Sequence, residues 1–357
     1  MNHLIAALRQ PASMARLNLT EWELLLRQAL AANLTPALGA IASEHGLLGQ
    51  VPAPARAHLD WAAVQATRHA RAVDWEIRQI RAALANLGEP LILLKGAAYA
   101  AARLPLARGR LFSDVDILVP RARLGAAEGA LMLHGWASVH QDAYDQRYYR
   151  EWMHEIPPMV HLRRDTAIDV HHTILPLTAR AHPDPDKLRA AAVEVPGMPG
   201  VFVLAPVDMV LHSATHLFYD GEFDKGLRDL LDIQRLLQHF GADPAFWDAL
   251  APRAFELELA RPLFYALRYA ARLLDAQVPA RVNEAIAAAA PNAALLALMD
   301  ALFLRALQPL HASCADRWSG LARQALYVRG NWLRMPPLLL ARHLFHKAFV
   351  SPRAQAV

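Results

Sequence analysis

The chain has 357 residues, 55% of them hydrophobic and 20% charged, with a net charge of +4. That length supports two or three compact units, and the richness in alanine and leucine favours helices over long disorder. A single cysteine, Cys314, excludes an internal disulfide framework and a thiolate metal cluster.

The first 85 or so residues read as helices. Thr20 and Glu23 have capping-box spacing, and Trp22, Leu25, Leu26, Ala29 and Leu30 then recur with a helical period. The apolar patch Leu4 to Leu8, ended by Arg9, is shorter than the hydrophobic region of a secretory signal. A second helical stretch runs from about Pro54 to Leu87, and Gly88 and Pro90 stop it. Residues 1–88 form an expected amino-terminal helical region.

The texture changes at Leu91. Leu91-Ile92-Leu93-Leu94 is a short apolar run of the kind found in a buried strand. Lys95-Gly96 follows where that strand turns into a short helix, Ala97 to Ala102. An arginine-rich loop, Arg103 to Arg110, leads to a second strand, Val115 to Val119, and Pro120 ends it. A helix is expected over Leu124 to His134 with Gly135 as its stop, then a strand over Trp136 to His140. Val160 to Arg163 and Ala167 to His171 flank a turn and read as a hairpin, with one more short strand at Val201 to Leu204. From Pro206 the pattern is helical again, including Asp208 to Tyr219 and Glu222 to Phe240. The expected fold class is therefore α+β: a small mixed β-sheet core at 89–205, flanked by helical regions at 1–88 and 206–357. The longest apolar stretch, Ala285 to Met299, is interrupted by Pro291 and Asn292 and is too short for a membrane span. With no such span, a cytoplasmic location is the default expectation.

The chemistry concentrates in Ser113-Asp114-Val115-Asp116-Ile117. Residues two apart on a strand share a face, so Asp114 and Asp116 project together while Val115 and Ile117 point the other way. Two carboxylates so close repel each other, and a hard divalent cation such as Mg²⁺ relieves that repulsion. Arg103, Arg108 and Arg110 precede the pair and suit phosphate oxygens. Gly96 lets a backbone approach a phosphate at the helix start beside Lys95. Asp169, on the face opposite Ile168 and Val170, supplies a third acid if its strand adjoins that of Asp116.

The order Leu94-Lys95-Gly96, Arg110, Asp114-Val115-Asp116-Ile117-Leu118-Val119 and Ile168-Asp169-Val170-His171 resembles the nucleotidyltransferase superfamily that includes DNA polymerase β. It is most similar to the uncharacterised bacterial branch, in which Lys-Gly replaces the Gly-Ser of other relatives. The resemblance covers Leu91 to Thr173, with a looser echo through Phe240. It implies a two-metal site holding Mg²⁺, and transfer of a nucleoside monophosphate from a nucleoside triphosphate, ATP being the default donor. Asp114, Asp116 and Asp169 match the metal-binding and catalytic acids, and Lys95, Gly96 and Arg110 the nucleotide-binding positions. The acceptor is left open among small molecule, sugar, peptide, protein and RNA. Asp116→Asn is expected to remove activity and leave the fold intact.

Ala97 stands where better-known relatives often carry a serine that helps hold the triphosphate, and a catalytically silent nucleotide-binding protein on the same scaffold is the alternative reading. A histidine-based metallohydrolase using His171, His212 or His216 is a third. His171 shares the face of Asp169, and Asp208, His212 and His216 fall on one helix face at metal-compatible spacing, although a packed helix with histidines near an interface or the nucleotide cleft is the better account of them. Lys225 with Asp229 and Arg228 with Asp232 are expected i,i+4 pairs on an exposed helix, the lesser reading being that this face helps shape the nucleotide cleft, as helices after the core do in related enzymes. The segment from Arg329 to Arg353, with Trp332, Phe345, Phe349 and Lys347, has the composition for peripheral contact with an acidic membrane, helix packing being the simpler expectation.

Overall fold

The computed structural model describes residues 2–139 and 142–342, so His140 and the carboxy-terminal aromatic and basic positions Phe345, Lys347, Phe349 and Arg353 lie outside the described residues. The chain opens with four helices: α1 (His3–Arg9), α2 (Leu19–Ala31), α3 (Thr35–Glu44) and the 31-residue α4 (Ala53–Ala83). The capping box of α2 is formed by Asn18 and Glu21, not by Thr20 and Glu23. Both pairs have the right spacing, but Asn18 takes the extended cap conformation one residue before the helix and leaves Thr20 inside it. Gly88, in the left-handed conformation at φ 72°, ends the 3₁₀ turn after α4 and turns the chain into the sheet.

The mixed region contains β1 (Leu91–Leu93), α5 (Lys95–Ala101), β2 (Asp114–Leu118), α6 (Leu124–Leu133), β3 (Trp136–Ser138), α7 (Ala143–Trp152), β4 (Met159–His161), β5 (Ala167–His171), α8 (Pro185–Ala190), β6 (Val193–Glu194) and β7 (Val201–Val203). The strands form one seven-stranded mixed sheet in the order β3-β4-β5-β2-β1-β7-β6. The protein is thus an α+β fold with its sheet between helices, as the alternation of apolar runs and helical periods leads one to expect. The hairpin β4–β5 is antiparallel, and β2 lies parallel to β5 with Asp114 opposite Ala167 and Asp116 opposite Asp169.

Seven α-helices follow β7 among the described residues: α9 (Pro206–Asp220), α10 (Gly226–Phe240), α11 (Pro244–Glu256), α12 (Ala260–Leu274), α13 (Ala280–Ile286), α14 (Ala293–Ala306) and α15 (Ser319–Arg334). α9 is the central one: α10, α11, α12 and α15 pack against it, and it also touches α5 beside the sheet. α1 rests on α12, so the two helical regions meet, and one apolar cluster runs without a break from Leu4 to Leu326. No single helix among the described residues is long and apolar enough to cross a membrane, and α13 and α14 meet at a bend of 110° at the Pro291-Asn292 break.

The hairpin that carries Asp169 is anchored from outside the sheet. Glu76 of α4, buried, accepts from Arg164 Nε and Nη2 at 3.0 and 2.8 Å and from Thr166 Oγ1 at 2.9 Å. The Arg164 guanidinium also lies 4.6 Å from the Trp136 ring centre and 5.2 Å from that of Trp75. A charged pair, a hydroxyl and two indoles therefore hold the β4–β5 turn against α4.

Candidate active site

The parallel β2–β5 pairing brings the three acids together. Asp114, Asp116 and Asp169 each offer an oxygen within 4.8 Å of the others. Val115, Ile117, Ile168 and Val170 on the alternate positions are buried, which locks the register and holds the acids on one side. Asp116 is itself only 4% exposed. Its Oδ1 accepts from Lys95 Nζ at 3.0 Å and from His171 Nε2 at 2.9 Å. Burial works against the charge of Asp116, but the Lys95 ammonium and His171 outweigh it and hold this carboxyl far below the usual range. Lys95 answers in kind: burial opposes its charge, Asp116 more than restores it, and its proton is held more tightly than usual.

Asp169 has the opposite environment. Burial first, then the neighbouring charges of Glu155 and Asp116, push its carboxyl up to about 7. A cluster with one strongly ionised acid, one acid near neutrality and a third at the rim has the oxygen donors that Mg²⁺ prefers. Both recorded contacts of Asp116 fall on Oδ1, which leaves Oδ2 as the atom such an ion would take. The residues present therefore fit a divalent cation.

A cavity of about 420 Å³ opens beside the acids, lined by Lys95, Gly96, Arg110, Asp114 and Asp116 from the sheet side and by residues of α9 and α10 opposite. Lys95 occupies the left-handed region at φ 46°, a costly conformation for a lysine that turns its side chain back over β2. Gly96 is required for space rather than for φ. A Cβ there would lie 2.6 Å from Arg110 Nη1 and 2.7 Å from Phe112 Cδ1. Arg110 has little freedom to withdraw, because Asp232 of α10 accepts from its Nε at 2.5 Å and the Tyr99 and Phe112 rings lie 5.5 and 5.7 Å away. Gly96→Ala is expected to destabilise the protein by about 1–3 kcal/mol through this overpacking, read as a lower midpoint in urea unfolding.

The sheet thus gathers Lys95, Gly96, Arg110, Asp114 and Asp116 in one cleft, with Asp169 at its edge beside the acids. The other candidates disperse. Asp208 is committed to Arg253, which donates to both of its oxygens at 2.9 Å. His212 is buried, and desolvation keeps it neutral. His216 alone of that trio reaches the cleft wall, where the charge of Lys95, more than burial, lowers its proton affinity. The expected pairs on α10 do not form: Arg228 binds Asp229 one residue on, and Asp229 and Asp232 face Arg110. Their chemistry is turned inward, toward an arginine 122 positions away in sequence.

Three groups beside the site have no counterpart in the sequence reading. Glu155 stands across a β-bridge from His171, with its Oε2 3.4 Å from His171 Nδ1. His154 is adjacent, kept neutral chiefly by burial. Tyr149 of α7 lies near enough for the charges of Glu155 and Asp169, after burial, to raise its hydroxyl's proton affinity. The one available signal for α7 was Asp142, which caps it by accepting from Tyr144 N and Asp145 N.

A mixed sheet carrying an acid cluster beside a cleft with a lysine and arginine wall, and enclosed by helices, is consistent with an α+β nucleotidyltransferase core. The sequence profile described as "Uncharacterised nucleotidyltransferase" matches residues 18–275, from the start of α2 to the end of α12. The chain belongs to that family. Comparison with the curated proteins and with the solved structures finds no match.

Proposed function

We propose that the protein transfers a nucleoside monophosphate from a Mg²⁺-bound nucleoside triphosphate to an acceptor, with release of pyrophosphate. The observation that carries this reading is the register of β2 on β5, which sets Asp169 opposite Asp116 and beside Asp114 at the mouth of the cleft. Asp114, Asp116 and Asp169 would hold Mg²⁺, which supplies charge neutralisation at the phosphates. Lys95 and Arg110 face the same cavity as cations for the triphosphate, and the narrow space over Gly96 keeps Arg110 in place. An acceptor oxygen would bond to the α-phosphorus as the bond to the bridging oxygen breaks, and pyrophosphate leaves with that electron pair. Asp169, opposite Asp116 at the edge of the cleft, is the acid that would take the acceptor's proton. Catalysis then rests on positioning and charge, as is general for phosphoryl chemistry.

A silent nucleotide-binding role on the same scaffold is favoured by one observation: Lys95 Nζ and His171 Nε2 both donate to Asp116 Oδ1, so partners within the chain already satisfy that oxygen. Calorimetric titration of the four nucleoside triphosphates, with and without Mg²⁺, separates the readings. Wild type is expected to bind at least one of them in a Mg²⁺-dependent manner, in the range of about 1 μM to 1 mM usual for enzyme substrates. The Asp114→Asn/Asp169→Asn variant, which leaves Asp116 paired, is expected to lose that dependence. Magnesium-independent binding would favour the silent scaffold, and no binding by folded wild type would sink the donor assignment.

A further inference from the structure

On the far side of His171 from Asp116, three side chains converge without a hydrogen-bonding solution of their own. His154, Glu155 and His171 each offer a ligand atom within 4.8 Å of the other two. Glu155 Oε2 lies 3.4 Å from His171 Nδ1 and 3.9 Å from His154 Nε2. Ligands on a tetrahedral zinc at its usual bond lengths are about 3.4 Å apart, so one of these separations already fits and the other needs a shift of roughly half an ångström. His171 is 2% exposed, and its Nδ1, the ring atom facing Glu155, is buried without a hydrogen-bond partner. An orphaned buried ring nitrogen is costly unless something outside the chain completes it.

The ring is oriented for that role. Asp116 Oδ1 accepts from His171 Nε2, so Nδ1 is the ring atom that faces Glu155 and His154 and the one a metal ion would take in place of a proton. A carboxylate holding the outer nitrogen of an imidazole is the common support of a metal-bound histidine. The backbone adds rigidity, because Glu155 is bridged to His171 and His172 N donates to His154 O at 2.9 Å. The Glu155 and His154 side chains keep 15% and 20% of their surface open, which leaves an ion a way in.

We infer that His154, Glu155 and His171 form a second cation site, distinct from the three aspartates and selective for a borderline divalent metal of the Zn²⁺ class. Two imidazoles and one carboxylate suit Zn²⁺ or Co²⁺ and disfavour Mg²⁺, which prefers oxygen donors alone. A fourth position stays open for water. The ion would pin His171 and, through it, the orientation of Asp116. The inference stands on these contacts and does not depend on the nucleotidyl-transfer reading.

The test is metal binding by the full chain. Wild type, loaded with Zn²⁺ alone and dialysed against citrate, is expected to retain one Zn²⁺ per chain, and Co²⁺ in its place should give the visible bands of a low-coordinate site with nitrogen ligands. His154→Ala and Glu155→Gln are each expected to weaken Zn²⁺ binding at least about 100-fold, more than the loss usual for a supporting residue. Asp114→Asn/Asp169→Asn should retain the ion. Failure of wild type to hold Zn²⁺ overturns the proposal. So does the reverse pattern, in which the aspartate variant loses Zn²⁺ and the His154 and Glu155 variants keep it. Circular dichroism on each variant checks folding, and Glu155→Gln, nearly isosteric, carries the test if His154→Ala unfolds.

Discussion

Asp116→Asn is expected to weaken Mg²⁺-dependent triphosphate binding on the order of 10²–10³-fold and also to destabilise the protein by about 1–3 kcal/mol. The second effect departs from what the sequence alone leads one to expect, a silent fold with a dead site. Asp116 is a shared partner: Lys95 and His171 both donate to Oδ1, and the Lys95 side chain is only 20% exposed. The amide keeps an acceptor oxygen but not the charge, so a mostly buried ammonium is left facing a neutral group. Access of Lys95 to the cleft screens part of that loss, which keeps the figure below that of a sealed pair. Asp169→Asn makes the contrast. Among the described residues Asp169 makes no side-chain hydrogen bond, and removing its charge relieves repulsion from Glu155 and Asp116, so stability should hold or rise while nucleotide binding still falls. Urea unfolding and calorimetry on the two variants check both halves. Asp116→Asn binding Mg²⁺–nucleotide as wild type does would remove the aspartates from the site.

Glu76→Ala is expected to cost about 3–5 kcal/mol, the largest effect of a single change far from the cleft. Its carboxylate is 3% exposed and accepts two bonds from Arg164 and one from Thr166. Alanine strands the Arg164 guanidinium between Trp75 and Trp136, where the rings attract the charge but accept no strong hydrogen bond. Arg164 also touches His161 Nε2, so the disturbance reaches the end of β4. Thermal and urea unfolding measure the loss. Because Glu76 clamps the turn that leads into β5, the variant should also lose Mg²⁺-dependent nucleotide affinity without a residue of the cleft having changed.

The strands that carry the acids were legible because each has a plain local cause. Leu91 to Leu94 is an unbroken apolar run, and Val115, Ile117, Ile168 and Val170 alternate with polar neighbours, which fixes the face of every aspartate between them. The meeting of Asp169 with Asp116 was inferred from a motif, and it is the parallel pairing of β2 with β5 that produces it. Partners set by tertiary packing were not legible. Asp229 and Asp232 match the helix-surface spacing of an exposed ion-pair ladder, yet α10 is buried on that side and the acids meet Arg110. α7 escaped notice because its polar and aromatic residues bury no face, and β6 is two exposed residues at the sheet edge. His154 and Glu155 belong to no regular element, and only the bridge to His171 reveals them.

The neighbouring positions Asp116 and Asp169 are separated by 52 intervening residues, and this has a bearing on how the chain reaches its native state. Closing so long a loop is slow on entropic grounds, and the strands that must then zip together bring like charges into contact. Local elements such as the β4–β5 hairpin and the long α4 can form first, leaving β2 on β5 among the last pairings to be made. Lys95, adjoining β1 and donating to Asp116, is a counter-charge delivered by a segment close in sequence to β2. Divalent cations in the refolding buffer are therefore expected to lower that barrier, which stopped-flow refolding with and without Mg²⁺ would read as a faster rate for the step that brings the acids side by side.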